Sequence, residues 1–492
     1  MWYLYRSSKQ LSIHRMPAEI LVEIFLFVRN DPIISPASAT RDHGQICTGN
    51  FALLRVTAVC VRWRLVAADF GALWNNVAFS TIKISSIRCA ELFLGRTKSC
   101  MLHVYVSAPI LPHSPPISAL IRKLFINISS ESHRVQVLDF FATSRTNILY
   151  TYWTNLAMSS HWIPEIRDDD TIPFCSQFPR VESMRLSSPV WYPGVAPCLK
   201  SLELQNDNGT ASLSFLLRAL ENCPALESLT LQGYRQFVDD GSQLDVPATV
   251  LPNLRRFQLY SCDSGPILAS LHLPSLAHPL IIFDSNPHGT ILRHLKRQDG
   301  APYLKAVSKL RVELSMGSSH YSIAAHREDG RMSLYLGIST VPHLPKSRWI
   351  HESMDTVTSF GPFSQITSLS ITADVVFSSW SPWLYKMHHI SSLDLCCPDV
   401  AGYLDCLSAL VDGSPLCPSL DTLAFRGFRR SKTFDYRLLK ACILFRRAAG
   451  CPLTSIIVPE CDWARARERD LSWDALVNSQ GKLLSIHSTG VP

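Results

Sequence analysis

The stretch that decides the fold lies near the start of the chain and has two halves. They are "IHRMPAEILVEIFLFV", residues Ile13–Val28, and "LLRVTAVCVRWRLVAADFGALWNNV", residues Leu53–Val77. In the first half Met16, Ile20 and Ile24 recur every four residues. Apolar residues at that spacing form one face of an amphipathic helix. The first half therefore predicts a helix.

Signals at the start of this helix support the prediction. Pro17 suits the first helical position, because its missing N–H would have no partner there. Glu19 complements the positive end of the helix dipole. The second half predicts another helical face, since its apolar residues recur at three- and four-residue steps. These residues are Val56, Val59, Cys60, Trp63, Val66 and Ala67.

The two halves together resemble an F-box, in the form common in fungal F-box proteins. The resemblance rests on "MPAEILVEIF", "VCVRWRLVA" and "FGALW". Met16 stands where the family pattern has Leu, Val61 where it has a basic residue and Gly71 where it has Pro. None of these changes removes an apolar anchor. The resemblance implies a three-helix module over residues 11–80, with a loop insert over 29–50, that docks the Skp-type adaptor of a cullin–RING (SCF) ubiquitin ligase.

The resemblance also implies where the adaptor binds. The contact residues would be Met16, Pro17, Ile20, Leu21, Ile24, Val59, Cys60 and Trp63. A module of roughly 60 residues buries too little surface to be comfortably stable alone. Each large apolar side chain contributes roughly 1.5–3 kcal/mol when buried, so some of this surface should meet a partner. The alternative is a plain helical subdomain packed on the rest of the chain.

A second pattern, Leu-x-x-Leu-x-Leu with aliphatic or Phe substitutes, returns through residues 179–470. Leu202, Leu229 and Phe257 follow one another at 27 and 28 residues, within the roughly 20–29 residues of a leucine-rich repeat. The eight copies are Val181, Met184, Leu186; Leu199, Leu202, Leu204; Leu226, Leu229, Leu231; Leu254, Phe257, Leu259; Ile366, Leu369, Ile371; Ile390, Leu393, Leu395; Leu420, Leu423, Phe425; and Leu453, Ile456, Val458.

The pattern between these strands switches toward helical spacing, as in "LSFLLRALENC" and "YRLLKACILFRRAAGC". The sequence therefore predicts an α/β fold: an N-terminal three-helix F-box followed by an irregular leucine-rich-repeat solenoid. Repeats cannot be phased between 276 and 364, although "LRVEL" at 310–314 and "SLYLGI" at 333–338 predict strands. The other segments are an N-terminal end (1–10), an irregular connecting segment or early repeats (81–178) and a C-terminal cap or tail (471–492).

Stacked repeats would leave a sheet whose strand residues point alternately inward and outward. The outward residues predicted to contact a target are Glu203, Gln205, Thr230, Gln232, Gln258 and Tyr260. This surface is polar and weakly charged, which suits a protein target. A nucleic-acid backbone would require a basic stripe. Alternatively, these are solvated strand residues without a partner.

The composition narrows the class of protein. The 492 residues are 18% charged and carry a formal charge of +7, which argues against disorder and predicts neither nucleic-acid nor membrane binding. We expect no secretory signal or membrane span, and the 15 scattered cysteines favour a reducing compartment, cytoplasmic or nuclear. His388 and His389 precede Cys396 and Cys397, but a helix-to-strand junction explains the group as well as a metal site does.

No set of residues with catalytic spacing occurs, so we predict no catalytic residue, no metal and no cofactor. As the resemblance implies, the expected function is substrate recognition for an SCF ligase, with an unidentified protein as the target. The chain itself would not be an enzyme. The alternative function is a ligase-independent scaffold built on the same repeats.

Overall fold

A computed structural model of the chain divides it into two compact units. The first comprises Met1–Ala211 with Phe215–Glu227, and the second Ser212–Ser214 with Ser228–Pro492. The structure describes residues 16–30, 43–80, 83–108, 115–142, 178–187, 196–206, 210–234, 236–237, 249–260, 262, 264–274, 280–284, 307–315, 320–329, 332–339, 366–373, 384–385, 387–397, 400–411, 413–425, 436–459 and 485–489.

The first unit begins with three helices around a small apolar core. They are α1 (Ala18–Asn30), α2 (His43–Thr57) and α3 (Val61–Asp69), followed by a 3-10 turn at Gly71–Trp74. Phe25 of α1 packs edge-on against Trp63 of α3, with ring centroids 5.4 Å apart. The N–H of the Trp74 indole donates to the carbonyl of Ala67 over 2.6 Å. These contacts join α1, α3 and the turn into one module.

Two features of this module differ from the sequence prediction. The loop predicted over 29–50 is wrong at both ends, since α1 continues to Asn30 and α2 begins at His43. Residues 31–42 lie outside the described part. The single helical face predicted from Val56 to Ala67 is also wrong, because the helix ends at Thr57 and α3 begins at Val61. Cys60 caps α3 there, its Sγ accepting from the backbone N–H of Trp63 over 3.5 Å.

Strands and helices alternate after the module. They are β1 (Asn76–Ser80), α4 (Ile84–Arg96), β2 (Leu102–Ala108), α5 (Pro115–Ser130), a 3-10 turn (Ser132–Arg134), β3 (Val135–Ala142), β4 (Ser183–Ser187), β5 (Ser201–Gln205), β6 (Thr210–Ala211) and α6 (Leu213–Glu221). Strands β1 to β5 pair in chain order and all in parallel. The described part of 81–178 is thus regular strand–helix structure.

The second unit continues with strands and short helices. They are β7 (Ser228–Gln232), β8 (Gln236–Phe237), β9 (Thr249–Val250), β10 (Arg256–Tyr260), α7 (Ser264–Ser270), β11 (Leu271–His272), β12 (Leu280–Asp284), β13 (Val307–Ser315), β14 (His320–Arg327), β15 (Met332–Ser339), β16 (Ser368–Ala373), β17 (Ser392–Cys396), α8 (Ala401–Leu407), β18 (Leu410–Val411), β19 (Ser414–Pro415), β20 (Thr422–Phe425), α9 (Tyr436–Ala448), β21 (Ser455–Pro459) and β22 (Ser485–Thr489).

The main sheet of this unit has the order β7-β10-β12-β15-β14-β13-β16-β17-β20-β21-β22. Neighbouring strands are parallel except at β13, β14 and β15, which form an antiparallel meander. The strands predicted at 310–314 and 333–338 are the outer two strands of this meander. Because β15 lies beside β12 and β13 beside β16, both in parallel, the meander interrupts the repeat pattern without reversing the sheet.

One local unit recurs through both parts of the chain. Every residue of the eight Leu-x-x-Leu-x-Leu copies is at most 5% exposed. In six copies the N–H of the first residue donates to the carbonyl three residues earlier, forming a turn just before the strand. These first residues are Val181, Leu199, Leu226, Leu254, Ile390 and Leu420. The spacing in the sequence therefore marks a repeated turn and strand with a continuous apolar side.

Candidate functional site

The first candidate site is the surface of the three-helix module. Helix α1 carries two apolar stripes, because apolar residues occupy more than half of its circumference. Leu21, Val22 and Phe25 are buried against the other helices. Ile20 and Phe27, seven residues apart and thus on one face, are 49% and 65% exposed.

Helix α3 likewise has both buried and exposed apolar residues. Trp63 and Ala67 are buried, whereas Val61 and Leu65, one turn apart, are 66% and 62% exposed. Val59, in the break before the helix, and Phe70, just after it, are exposed as well. We call these outward residues the exposed apolar set: Ile20, Phe27, Val59, Val61, Leu65 and Phe70.

The structure separates the predicted adaptor residues into presented and buried ones. Ile20, Val59 and Pro17 are exposed, and Met16, Ile24 and Cys60 are half-buried. Leu21 is fully buried and Trp63 is 7% exposed, so these two support the module from within. The carbonyl of Met16 accepts a hydrogen bond from Nη2 of Arg62 over 2.5 Å. That bond ties the start of α1 to α3.

Four members of the exposed apolar set were not among the adaptor contacts predicted from the sequence: Phe27, Val61, Leu65 and Phe70. The signal was present, because Ile20, Ile24 and Phe27 follow helical spacing one residue out of step with the buried stripe. Periodicity gives the apolar positions of a helix. It does not tell which of two apolar stripes faces the core.

The second candidate site is the outward side of the strands, and in the first unit it is charged. Parallel pairing places Tyr105, Asp139, Arg185 and Glu203 at one register position across β2 to β5. Nε of Arg185 lies 3.0 Å from Oε1 of Glu203. Burial raises the pKa of Asp139 to about 6; the charge of Arg185 opposes this rise and that of Glu203 adds to it.

Sequence reasoning placed Glu203 on this surface but missed Asp139 and Arg185. Asp139 lies between buried Leu138 and Phe140 in "VQVLDFFA", an alternation that marks it as outward. The register that brings β3 beside β4 could not be derived, because the two strands are more than 40 residues apart in sequence. Gln205 lies at the end of β5, paired in register with Ser187.

In the second unit, three predicted target residues meet. The hydroxyls of Thr230 and Tyr260 each lie 3.4 Å from Oε1 of Gln258, so the amide oxygen accepts two hydrogen bonds. Gln232 pairs in register with Tyr260. These side chains are half-buried, and they form a polar cluster on β7 and β10.

Other candidates from the sequence lead to no site. The rings of His388 and His389 lie 4.3 Å apart, yet no group of three or more His, Cys, Asp or Glu within the described ranges could hold a metal ion. No described helix has the length and apolar character needed to cross a membrane.

Comparison with known proteins bears on the module. Residues 13–80 match the family model described as F-box-like. The chain therefore carries an F-box-like domain at its N-terminal helices, and F-box domains bind Skp-type adaptors in SCF complexes. No curated protein matches the chain.

Proposed function

We propose that this protein is the substrate-recognition subunit of an SCF ubiquitin ligase. Its F-box-like domain docks the adaptor, and the outward side of its strands binds a target protein. The observation that carries the proposal is the F-box-like match over residues 13–80 together with an exposed apolar set on those helices. We expect these exposed apolar side chains to contribute to the contact with the adaptor.

The strand–helix units support a degenerate leucine-rich-repeat domain as the target-binding part. The support is threefold: the buried Leu-x-x-Leu-x-Leu copies, the recurring turn before the strand and parallel pairing of successive strands. Repeats of this kind bury a shared core and leave one side of the sheet available.

The mechanism of such a subunit is tethering. A target held on β1 to β5 is in the same compact unit as the F-box-like domain, so its lysines gain effective concentration near the transferred ubiquitin. The chain itself would supply no catalytic group, as is typical of F-box domains. A cytoplasmic or nuclear location fits the free cysteines of the described part.

The test is capture of a Skp-type adaptor by the purified full chain. We expect a Phe27→Asp, Leu65→Asp double variant to lose at least about tenfold in affinity, because two exposed anchors become charged. The matched control is Leu410→Asp, since Leu410 is 56% exposed in the second unit. It should leave capture unchanged, and thermal unfolding of both proteins should match wild type.

Full adaptor binding by the double variant would show that the docking surface is assigned wrongly. Leu21→Asp is unsuitable here, because a charge at this buried position would unfold the module and abolish binding for a trivial reason.

A second experiment, blocking the proteasome, distinguishes the ligase function from the scaffold function. Levels of bound partners rise if the chain serves degradation, and stay constant if it is a ligase-independent scaffold.

A further inference from the structure

The outward side of the first unit carries a short line of charge at its centre. Asp139 on β3, Arg185 on β4 and Glu203 on β5 are paired in register, so their side chains project side by side about 4.8 Å apart. We call these three residues the charged row. The rows above and below it on β4 and β5 hold small or uncharged residues, Ser183 and Ser201 on one side and Ser187 and Gln205 on the other.

The charged row holds two carboxylates and one guanidinium. Nε of Arg185 forms an ion pair with Glu203 at 3.0 Å, although without the geometry of a hydrogen bond, and both side chains are about a quarter exposed, at 24% and 27%. Asp139 pairs in register with Arg185, whose charge lowers the pKa of the Asp139 carboxyl by less than burial raises it. The charged row therefore has one carboxylate more than it has guanidinium groups, and Asp139 is half-buried.

That arrangement is costly in the free protein. Burial is the larger influence on Asp139, and it raises the pKa of the carboxyl to about 6 because the charged form is poorly solvated. Nearby Arg185 does not offset this effect. A carboxylate in such a position gains most from a cation that arrives with a partner and replaces the lost water.

We propose that the charged row binds a lysine or arginine side chain of the target protein, with Asp139 as its ion-pair partner. The inference rests on the proposed function, since it takes the outward side of the strands as the target surface. The choice of a basic partner follows from the excess carboxylate of the charged row. An acidic or phosphorylated segment and a nucleic-acid backbone would all be repelled by the excess carboxylate. Small serine side chains beside the row leave room for a long basic side chain.

The test is selection from a random peptide library displayed on phage, with the full chain immobilised. Wild-type protein should enrich peptides that share one lysine or arginine position. A synthetic peptide of the enriched sequence should bind Asp139→Asn at least about tenfold more weakly than wild type. Replacing its basic residue by glutamine should weaken binding to wild type by a similar factor, and the two losses should not add.

Two further variants sharpen the result. Glu182→Gln removes one negative charge just before β4, where the Glu182 carboxylate pairs with Lys200 over 3.0 Å; binding should be unchanged. Arg185→Gln raises the excess negative charge of the row, so binding of the basic peptide should tighten. Circular dichroism of each variant establishes that the fold is retained.

The inference is overturned if wild type enriches no peptide, or only acidic or apolar ones, or if Asp139→Asn binds the basic peptide as well as wild type does. Adaptor capture is measured on the same protein samples. If the wild-type protein captures the adaptor but does not enrich basic peptides, this inference alone is wrong. Loss of adaptor capture in the wild type removes the proposed function, whatever the peptides show.

Discussion

Nη2 of Arg446 donates a 2.8 Å hydrogen bond to the backbone carbonyl of Cys417, a residue held in the left-handed region at φ 48°. The first unit contains the same relationship, since Arg134 donates to the carbonyl of Lys98, at φ 52°. Lys98 and Cys417 are the two residues other than glycine with positive φ among those that the structure describes. Such backbone costs of order 1–3 kcal/mol and persists only where its surroundings hold it.

Each buried arginine therefore holds a strained loop that precedes a strand. Arg446 is fully buried and also donates to the carbonyls of Leu416 and Leu420. Burial lowers the pKa of Arg446 because the charged form loses solvent. Three carbonyl acceptors compensate part of that loss, while Nε of Arg446 has no hydrogen-bond partner among the described residues.

Replacing Arg446 by alanine should destabilise the second unit by about 3 kcal/mol or more, because buried carbonyls lose their donor and the left-handed turn its support. Hydrogen exchange read by mass spectrometry should show lost protection at residues 416–425. The control is Arg447→Ala, at the exposed neighbouring position, which should change stability by less than about 0.5 kcal/mol. Equal effects of the two variants would contradict this role.

The close packing around Gly71 explains why the chain departs from the F-box pattern at this position. A Cβ at Gly71 would lie 2.6 Å from the carbonyl oxygen of Thr97 and 3.1 Å from Sγ of Cys100. The first is a backbone atom and cannot rotate away. The proline that the family pattern has here would not fit beside the loop that follows α4.

Gly71→Ala should therefore lower the free energy of unfolding by about 1–3 kcal/mol. Gly95, on the exposed side of α4, is the matched control, since a Cβ there meets nothing within 4 Å. Gly95→Ala should raise stability by about 0.5–1 kcal/mol, because alanine loses less chain entropy in a helix. Urea denaturation measures both. A destabilised Gly95→Ala, or a neutral Gly71→Ala, would contradict the packing described.

Much of the repeat region was predictable because burial there depends on local spacing. Leu229 and Leu231 are buried and Thr230 is half-exposed, as period-two alternation requires. The meander of β13 to β15 was not predictable, because antiparallel pairing through β14 depends on partners in neighbouring strands rather than on spacing within one segment.

The module shows the same limit. The apolar residues keep helical spacing through the break at Ala58–Cys60, so the spacing does not reveal that one helix ends there and another begins. The local signal for the break is Cys60 as the cap of α3, and cysteine is a weaker cap than Ser or Asp. Which of the two apolar stripes of α1 is buried depends on where Trp63 lies. The position of Trp63 is set by tertiary packing, which the spacing of residues within one helix does not encode.

Asn50 links the F-box-like domain to the sheet. Its side-chain amide donates a buried 2.8 Å hydrogen bond to the carbonyl of Asn76 in β1, so helix α2 contacts the first strand directly. Asn50→Ala should cost about 1–3 kcal/mol, because this buried carbonyl loses a donor. Arg55→Ala, at an exposed position of the same helix, is the control and should be nearly neutral. If both variants melt alike, the bond does not couple helix and sheet.

Asp139 should make the stability of the first unit depend on pH in an unusual direction. Its pKa is raised to about 6 in the folded chain, above the roughly 3.9 of an unfolded aspartate. The folded state therefore binds this proton more tightly, and the contribution of Asp139 to stability rises as pH falls from about 6 to about 4. Arg185 lies beside it on β4, Glu203 lies one strand further on β5, and Tyr105 lies beside it on β2.

Asp139→Asn should consequently stabilise the protein by about 2–3 kcal/mol at pH 7, with the difference from wild type vanishing near pH 4. Denaturation at both pH values measures this. Glu182→Gln is the opposite control: the hydrogen bond from Lys200 lowers the pKa of Glu182, so that variant should gain nothing at pH 7. A gain from Asp139→Asn that persisted at pH 4 would point to packing rather than charge. A gain confined to higher pH would mean that the fold keeps a destabilising carboxylate, as expected of a residue retained for binding.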